Sequence, residues 1–177
     1  MQDLSLHILD IAENSIAAGA RRIEITLRED PVVDLLVLQI ADDGRGMSPE
    51  EVRRAVDPFY TTRTTRRVGL GLALLKQAAR EAGGDLEIRS RQGQGTTIVT
   101  TFRLGHIDRK PIGALADTVA ALLAAAGSVD IRFEHSRDGK TVVFDTLTAR
   151  AQLGDVPLDS AEVLRFVREY LLQEERS

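Results

Sequence analysis

Three short segments hold the residue types that could do chemistry. In LDIAENSIAAGA, residues 9–20, an acid and an amide stand four apart at Asp10 and Asn14. On a helix that spacing puts both on one face, and an amide oxygen beside a carboxylate is a hard-ligand set suited to Mg²⁺ with several retained waters. In ADDGRGM, residues 41–47, an apolar run ends in an acidic, Gly-rich turn. There the Asp42 carboxylate can accept a hydrogen bond from an exocyclic amine, while Gly44 and Gly46 let the backbone approach a planar base. In VGLGLALLKQAA, residues 68–79, Gly69-Leu70-Gly71-Leu72 opens a helix whose free N–H groups and positive dipole end favour a phosphate. Each segment alone has an ordinary alternative: a solvated helix face, a Gly turn between strand and helix, glycine used for close packing. In this order they describe a nucleotide pocket made of metal ligand, base reader and phosphate cradle. The spacing is neither the Rossmann fingerprint nor a Walker loop, since no G-K-[ST] follows.

The elements that must position these residues follow from periodicity. Leu4, Ile8, Ile11, Ala12 and Ile16 recur at helical spacing, so residues 3–18 read as an amphipathic helix ended by Gly19. Residues 22–28 alternate like a half-buried strand, and 35–41 form a more continuously apolar one. Ser48, Pro49 and Glu51 give a capping box with proline at the first helical position, starting a short helix that stops before Pro58. Residues 59–68, basic and rich in Thr, read as a loop and an expected mobile lid. Residues 70–82 read as a helix ending at Gly83-Gly84, and 85–90 with 96–104 as a hairpin. The order αββ, αα, ββ predicts an α/β two-layer sandwich. After a composition shift at 106–111 come a helix over 112–126, strands over 129–135 and 140–147 joined by Asp138-Gly139, and a helix over 159–173. The expected division is therefore 1–105, carrying the chemistry, and 106–177, a small α+β extension without a catalytic motif.

Composition bounds the rest. A chain of 177 residues with 43% hydrophobic side chains can bury a core. Lys and Arg number 23 against 27 acidic residues, a net charge of −4, which offers no electrostatic footprint for nucleic acid. The absence of cysteine excludes disulfides and thiol chemistry and fits a cytoplasmic protein. No signal peptide stands out and the apolar runs are too short to span a bilayer, so the expectation is a soluble chain without a membrane partner.

The residues resemble the GHKL superfamily, which includes the B subunit of DNA gyrase, heat-shock chaperone ATPases, histidine kinases and MutL. IAENSIAAGARRIEI is similar to the N box in its MutL form, DDGRGM to the first glycine box, and DPFYTTR to the F box of histidine kinases. GLGLALLK is similar to the second glycine box and GQGTT to the closing Gly-Thr element. The resemblance covers roughly residues 4–104. It implies the Bergerat ATP-binding fold, ATP and Mg²⁺ as cofactors, and a partner protein in signalling. By position, Asn14 resembles the Mg²⁺ ligand and Asp42 the adenine-reading carboxylate. Gly44 and Gly46 resemble the glycines under the base, Gly69 and Gly71 the phosphate turn, and Thr96 a residue that helps hold adenine. Met47, Thr62, Arg63, Leu70 and Leu72 fall in the matching boxes as further nucleotide contacts. Asp10 stands where hydrolytic members and anti-sigma serine kinases place a Glu that activates water or a hydroxyl.

The departures are specific. Asp10 is one methylene shorter than Glu. Ala17 occupies a position usually basic in histidine kinases, leaving Arg63, Arg66 and Arg67 as candidates for phosphate charge, and Arg67 replaces a customary first glycine. None of His7, His106 and His135 has the acidic, Arg-Thr-Pro context of a phosphoacceptor, so a kinase of this sequence would act on another chain. Three activities remain: a protein kinase acting in trans, a slow ATPase used as a conformational switch, and an ATP-binding module without chemistry.

Overall fold

The computed structural model describes residues 2–59 and 70–177. Six strands form one sheet in the order β3-β4-β2-β1-β5-β6, with β1 Arg22–Asp30, β2 Leu35–Asp42, β3 Leu86–Ser90, β4 Thr96–Arg103, β5 Asp130–Arg137 and β6 Lys140–Asp145. All neighbours are antiparallel except β1 and β5. Alternation decides which face is covered: Ile23, Ile25 and Leu27 of β1 and Leu36, Leu38 and Ile40 of β2 are buried, while Glu24 and Gln39 between them are exposed. Register lines up one apolar row across the sheet, Phe144–Phe133–Ile25–Ile40–Ile98–Ile88. Each such aliphatic or aromatic side chain, when fully buried, stabilises by about 1.5–3 kcal/mol.

The covering layer is α1 Leu4–Ala17, α3 Gly71–Glu81, α4 Leu115–Ala126 and α6 Ala161–Arg176. These pack side by side in the order α3–α1–α4–α6, over β4, β1 and β2, β5, and β6 respectively. The two-layer α/β sandwich expected from the sequence is thus present. Both layers run without a break into residues 115–176. The connection is tied down as well: Leu4 N–H donates to Pro111 O at 2.9 Å and Ser5 N–H to Ile112 O at 2.8 Å. Arg22 of β1 also pairs with Asp145 at the end of β6, 3.0 Å.

Local signals explain most boundaries. α2, Pro49–Ala55, starts at a complete capping box, with Ser48 N–H donating to Glu51 Oε2 at 2.7 Å and Glu51 N–H to Ser48 Oγ at 3.2 Å. Helix α4 begins at Leu115 rather than 112 because Gly113 has φ +87°, outside helical space. The strand expected over 140–147 stops at Asp145, and α5 follows, Thr146–Leu153. The β-branched Thr146 reads as strand, but the Asp145 carboxylate accepts from Leu147 N–H at 2.9 Å and caps a helix instead.

Candidate functional site

Helix α1 brings an amide and a hydroxyl to the end of β2. Asn14 and Ser15 on α1, Asp42 at the end of β2, Gly46 and Met47 in the following turn, Leu72 on α3 and Thr96 at the start of β4 line one cavity of about 120 Å³. Ile11, Ala55 and Ile98 supply apolar walls. The sequence segments at 9–20 and 41–47 and the Gly-Thr element therefore converge.

The carboxylate of Asp42 is fixed from both sides. Its Oδ1 accepts from Gly44 N–H at 2.9 Å, and its Oδ2 accepts from the buried Ser15 hydroxyl at 2.6 Å. Thr96 is aimed in a comparable way. Ser90 Oγ donates to Gly95 O at 3.0 Å and accepts from Met47 N–H at 2.8 Å, and the Thr96 hydroxyl lies 2.8 Å from it, a pair in which either oxygen can donate. The ionised Asp42 turns acceptor lone pairs toward the cavity, with the Thr96 hydroxyl beside it. A base with an amine at that edge suits them, and one with a carbonyl does not.

The glycines are required by close approach. Gly46 has φ +69°, and a Cβ there would lie 1.8 Å from Arg91 O. At Gly95, φ +81°, it would lie 2.0 Å from Asp42 O. Gly44 is tight against Ala18, 3.0 Å from its carbonyl oxygen to the would-be Cβ. Asp43 is structural: its Oδ1 accepts from Arg22 N–H at 2.9 Å and Arg21 N–H at 2.7 Å. Chiefly the Arg22 N–H, then that of Arg21, holds its carboxyl below the usual carboxylate range.

At the other side of the cavity, α3 starts at Gly71 with Leu70 in the N-cap position. Among the described residues no side chain caps it, whereas α1, α2, α5 and α6 are capped by Asp3, Ser48, Asp145 and Ser160, and its own first turn carries no acid. The N–H groups and positive dipole end are thus left for an anion. Asp10 is exposed on the same face as Asn14, outside the cavity lining, and its Oδ2 accepts from Gln2 Nε2 at 2.9 Å. A Cβ at Gly71 would stand 4.0 Å from that of Asp10, so the acid borders the start of α3. Among the described residues the Asn14 carboxamide makes no hydrogen bond, and no cluster of three acidic or His side chains could cage a metal alone. A single amide ligand fits an Mg²⁺ that meets the protein mainly through phosphates. Thr62, Arg63, Arg66, Arg67 and Gly69, with the expected lid, lie outside the described residues.

Sequence reasoning missed Ser15 and Ser90, which hold Asp42 and Thr96 in place. The histidines lie elsewhere. His7 is buried on α1, His106 Nδ1 accepts from Asp108 N–H at 3.1 Å, and His135 Nε2 sits 2.8 Å from Glu29 Oε1.

An α/β sandwich with an acceptor-lined cavity between the end of a central strand and an uncapped helix start defines a nucleotide-binding class. The chain belongs to the family of histidine kinase-, DNA gyrase B- and HSP90-like ATPases, whose family model matches residues 2–106, and carries its ATP-binding domain. It is 34% identical over 112 residues to the non-motile and phage-resistance protein of Caulobacter vibrioides, covering 58% of this chain and 13% of that protein. It is 31% identical over 111 residues to a putative NtrY-like sensor histidine kinase of Rickettsia conorii, covering 62% and 18%. With the sensor protein SrrB of Staphylococcus aureus it shares 33% over 104 residues, covering 56% and 17%. The similarity thus spans less than a fifth of these relatives' length. No described helix is long and apolar enough to cross a membrane.

Proposed function

We propose that the chain binds Mg·ATP in this cavity and transfers the γ-phosphoryl group to a partner protein. The observation that carries the nucleotide reading is the acceptor edge formed by the Asp42 carboxylate, aimed by Ser15 and Gly44. It matches the 6-amino group of adenine and repels the O6 of guanine. The uncapped start of α3 receives phosphate oxygens, and Asn14 holds Mg²⁺, which supplies charge neutralisation on the phosphates. Asp10 borders the phosphate side and accepts the proton of the attacking hydroxyl or imidazole as its oxygen or nitrogen bonds to the γ-phosphorus and ADP departs. The relative named as an NtrY-like sensor histidine kinase favours protein as the acceptor.

A second reading, hydrolysis driving a conformational switch, uses the same base with water as nucleophile. It is favoured by the exposure of Asp10, which leaves it open to solvent. Incubation with γ-labelled ATP and candidate partners separates the readings. Label on a partner supports transfer, label as free phosphate alone supports hydrolysis, and label retained on ATP refutes both and leaves a binding module.

A further inference from the structure

At the opposite end of the sheet, β6 is the last strand, and among the described residues no strand pairs with its outer edge. A cavity of about 670 Å³ runs beside it, several times larger than the nucleotide-side one. Three consecutive strand residues line it, Val143, Phe144 and Asp145. In the pairing with β5, Phe144 opposes Phe133 on the covered face and Val143 opposes Glu134 on the open face. Residues facing opposite sides of a strand border one groove only where that groove follows the strand's edge. The unpaired backbone N–H and C=O groups of β6 therefore form one wall.

The other walls are helical and apolar. Val163 and Tyr170 of α6 and Leu153 of α5 form the floor, and Phe166 and Val156 stand at the rim with 69% and 45% of their surface exposed. Apolar residues left at a rim mark an occupant that extends beyond the cavity, as a polypeptide does. The lining carries two carboxylates and no Lys or Arg; Asp145 is already paired with Arg22 and caps α5, which leaves the exposed Glu162 as the acidic group offered to an occupant.

We propose that this groove takes an extended segment of a partner protein that adds a strand to β6. One apolar side chain of the segment enters between α5 and α6, and a basic side chain flanks it opposite Glu162. Main-chain hydrogen bonds supply affinity, and the pocket and the Glu162 carboxylate supply choice of sequence. The site is separate from the ATP cavity and does not depend on the reading given above.

The test uses the full chain, isotopically labelled, and a short synthetic peptide alternating valine and lysine around one phenylalanine. Saturable binding with amide shifts in β6, α5 and α6 is expected. It should be weakened about tenfold or more by Phe166→Glu, by Glu162→Lys, or by exchanging the peptide's lysines for glutamates. Methylating alternate peptide nitrogens should abolish it. Both protein substitutions are at exposed positions, and unchanged melting curves verify the fold. Asp42→Ala, which targets the ATP cavity, should bind the peptide as wild type does. Absence of binding, binding indifferent to Phe166→Glu, or binding indifferent to nitrogen methylation overturns the proposal. So does a concentration-dependent dimer that Phe166→Glu dissolves, because the groove then holds a second copy of the chain.

Discussion

The two ends of the sheet treat their polar groups in opposite ways. Around β2 and β4 the carboxylates of the turn and the hydroxyls behind it are tied: Asp42 to Ser15 and Gly44, Asp43 to two backbone N–H groups, Ser90 to Met47, Gly95 and Thr96. Around β6 the backbone edge is unpaired and Phe166 is exposed. One end has its geometry set before a ligand arrives, so affinity goes into recognition rather than ordering. The other end offers unsatisfied main chain and apolar surface, which suits a partner that brings its own hydrogen bonds. The contrast predicts that small backbone changes are severe at the first end and tolerated at the second.

Gly46→Ala should be the most damaging change. Its Cβ would meet Arg91 O at 1.8 Å, a backbone atom that cannot step aside, and φ +69° adds strain. A loss on the order of 3 kcal/mol or more is expected by thermal or denaturant unfolding. Gly139→Ala, on the β5–β6 turn, has nothing within 4 Å of its Cβ and only its φ of +76° against it. It should cost about 1–2 kcal/mol. Equal losses at the two positions would remove the claimed contrast in rigidity.

Next in size is the proposed base. Asp10→Asn keeps the shape and the hydrogen bond from Gln2 but cannot take a proton, so turnover should fall about a hundredfold while ATP affinity holds. Unchanged turnover eliminates Asp10 from the chemistry. Asp42→Ala should weaken ATP by about tenfold to a hundredfold, measured by calorimetry, since the half-buried carboxylate proposed to read the base is lost. Equal wild-type affinity for GTP would contradict the acceptor edge. Ser15→Ala leaves the carboxylate in place but frees its rotamer. A loss of up to about tenfold is expected, with Ser15→Thr recovering part of it. If Ser15→Ala matches wild type, Asp42 is held by Gly44 alone.

How far the sequence carried differs between the same two ends. Asp42, Gly44 and Gly46 were readable because the chemistry is packed into one short segment, and glycine at a close approach has few other uses. Ser15 was not, since its partner is 27 residues away and a serine one place past an asparagine carries no local mark. The pairing of β5 with β1 was equally invisible. Periodicity identifies 129–135 as a strand, but nothing in those residues names the parallel neighbour at Arg22–Arg28. The composition change near 106 marks where the family match ends. The helix α5 was hidden by the β-branched Thr146, whose strand preference lost to the Asp145 cap.

The smallest effect concerns a group that belongs to neither end. His7 lies on the buried side of α1, 3% exposed, with its Nδ1 lacking a hydrogen-bond partner among the described residues. Burial lowers its pKa from the ordinary 6.5, with Asp10 and then Asp3 opposing the shift. In the unfolded chain the imidazole takes a proton near pH 6.5, while in the folded chain it stays neutral to lower pH. The unfolded state therefore binds more protons as pH falls below 6.5, and stability is full above that value and declines below it until the folded-state pKa is passed. For one proton the slope cannot exceed about 1.4 kcal/mol per pH unit. His7→Leu fills a similar buried volume without a titratable group or an unpaired nitrogen. Denaturant unfolding of both chains between pH 7.5 and 5.5 should show the wild type losing stability relative to the variant as pH falls. Parallel pH profiles would mean that the folded chain protonates His7 as readily as the unfolded one, and that α1 opens enough to admit the charge beside Asp10.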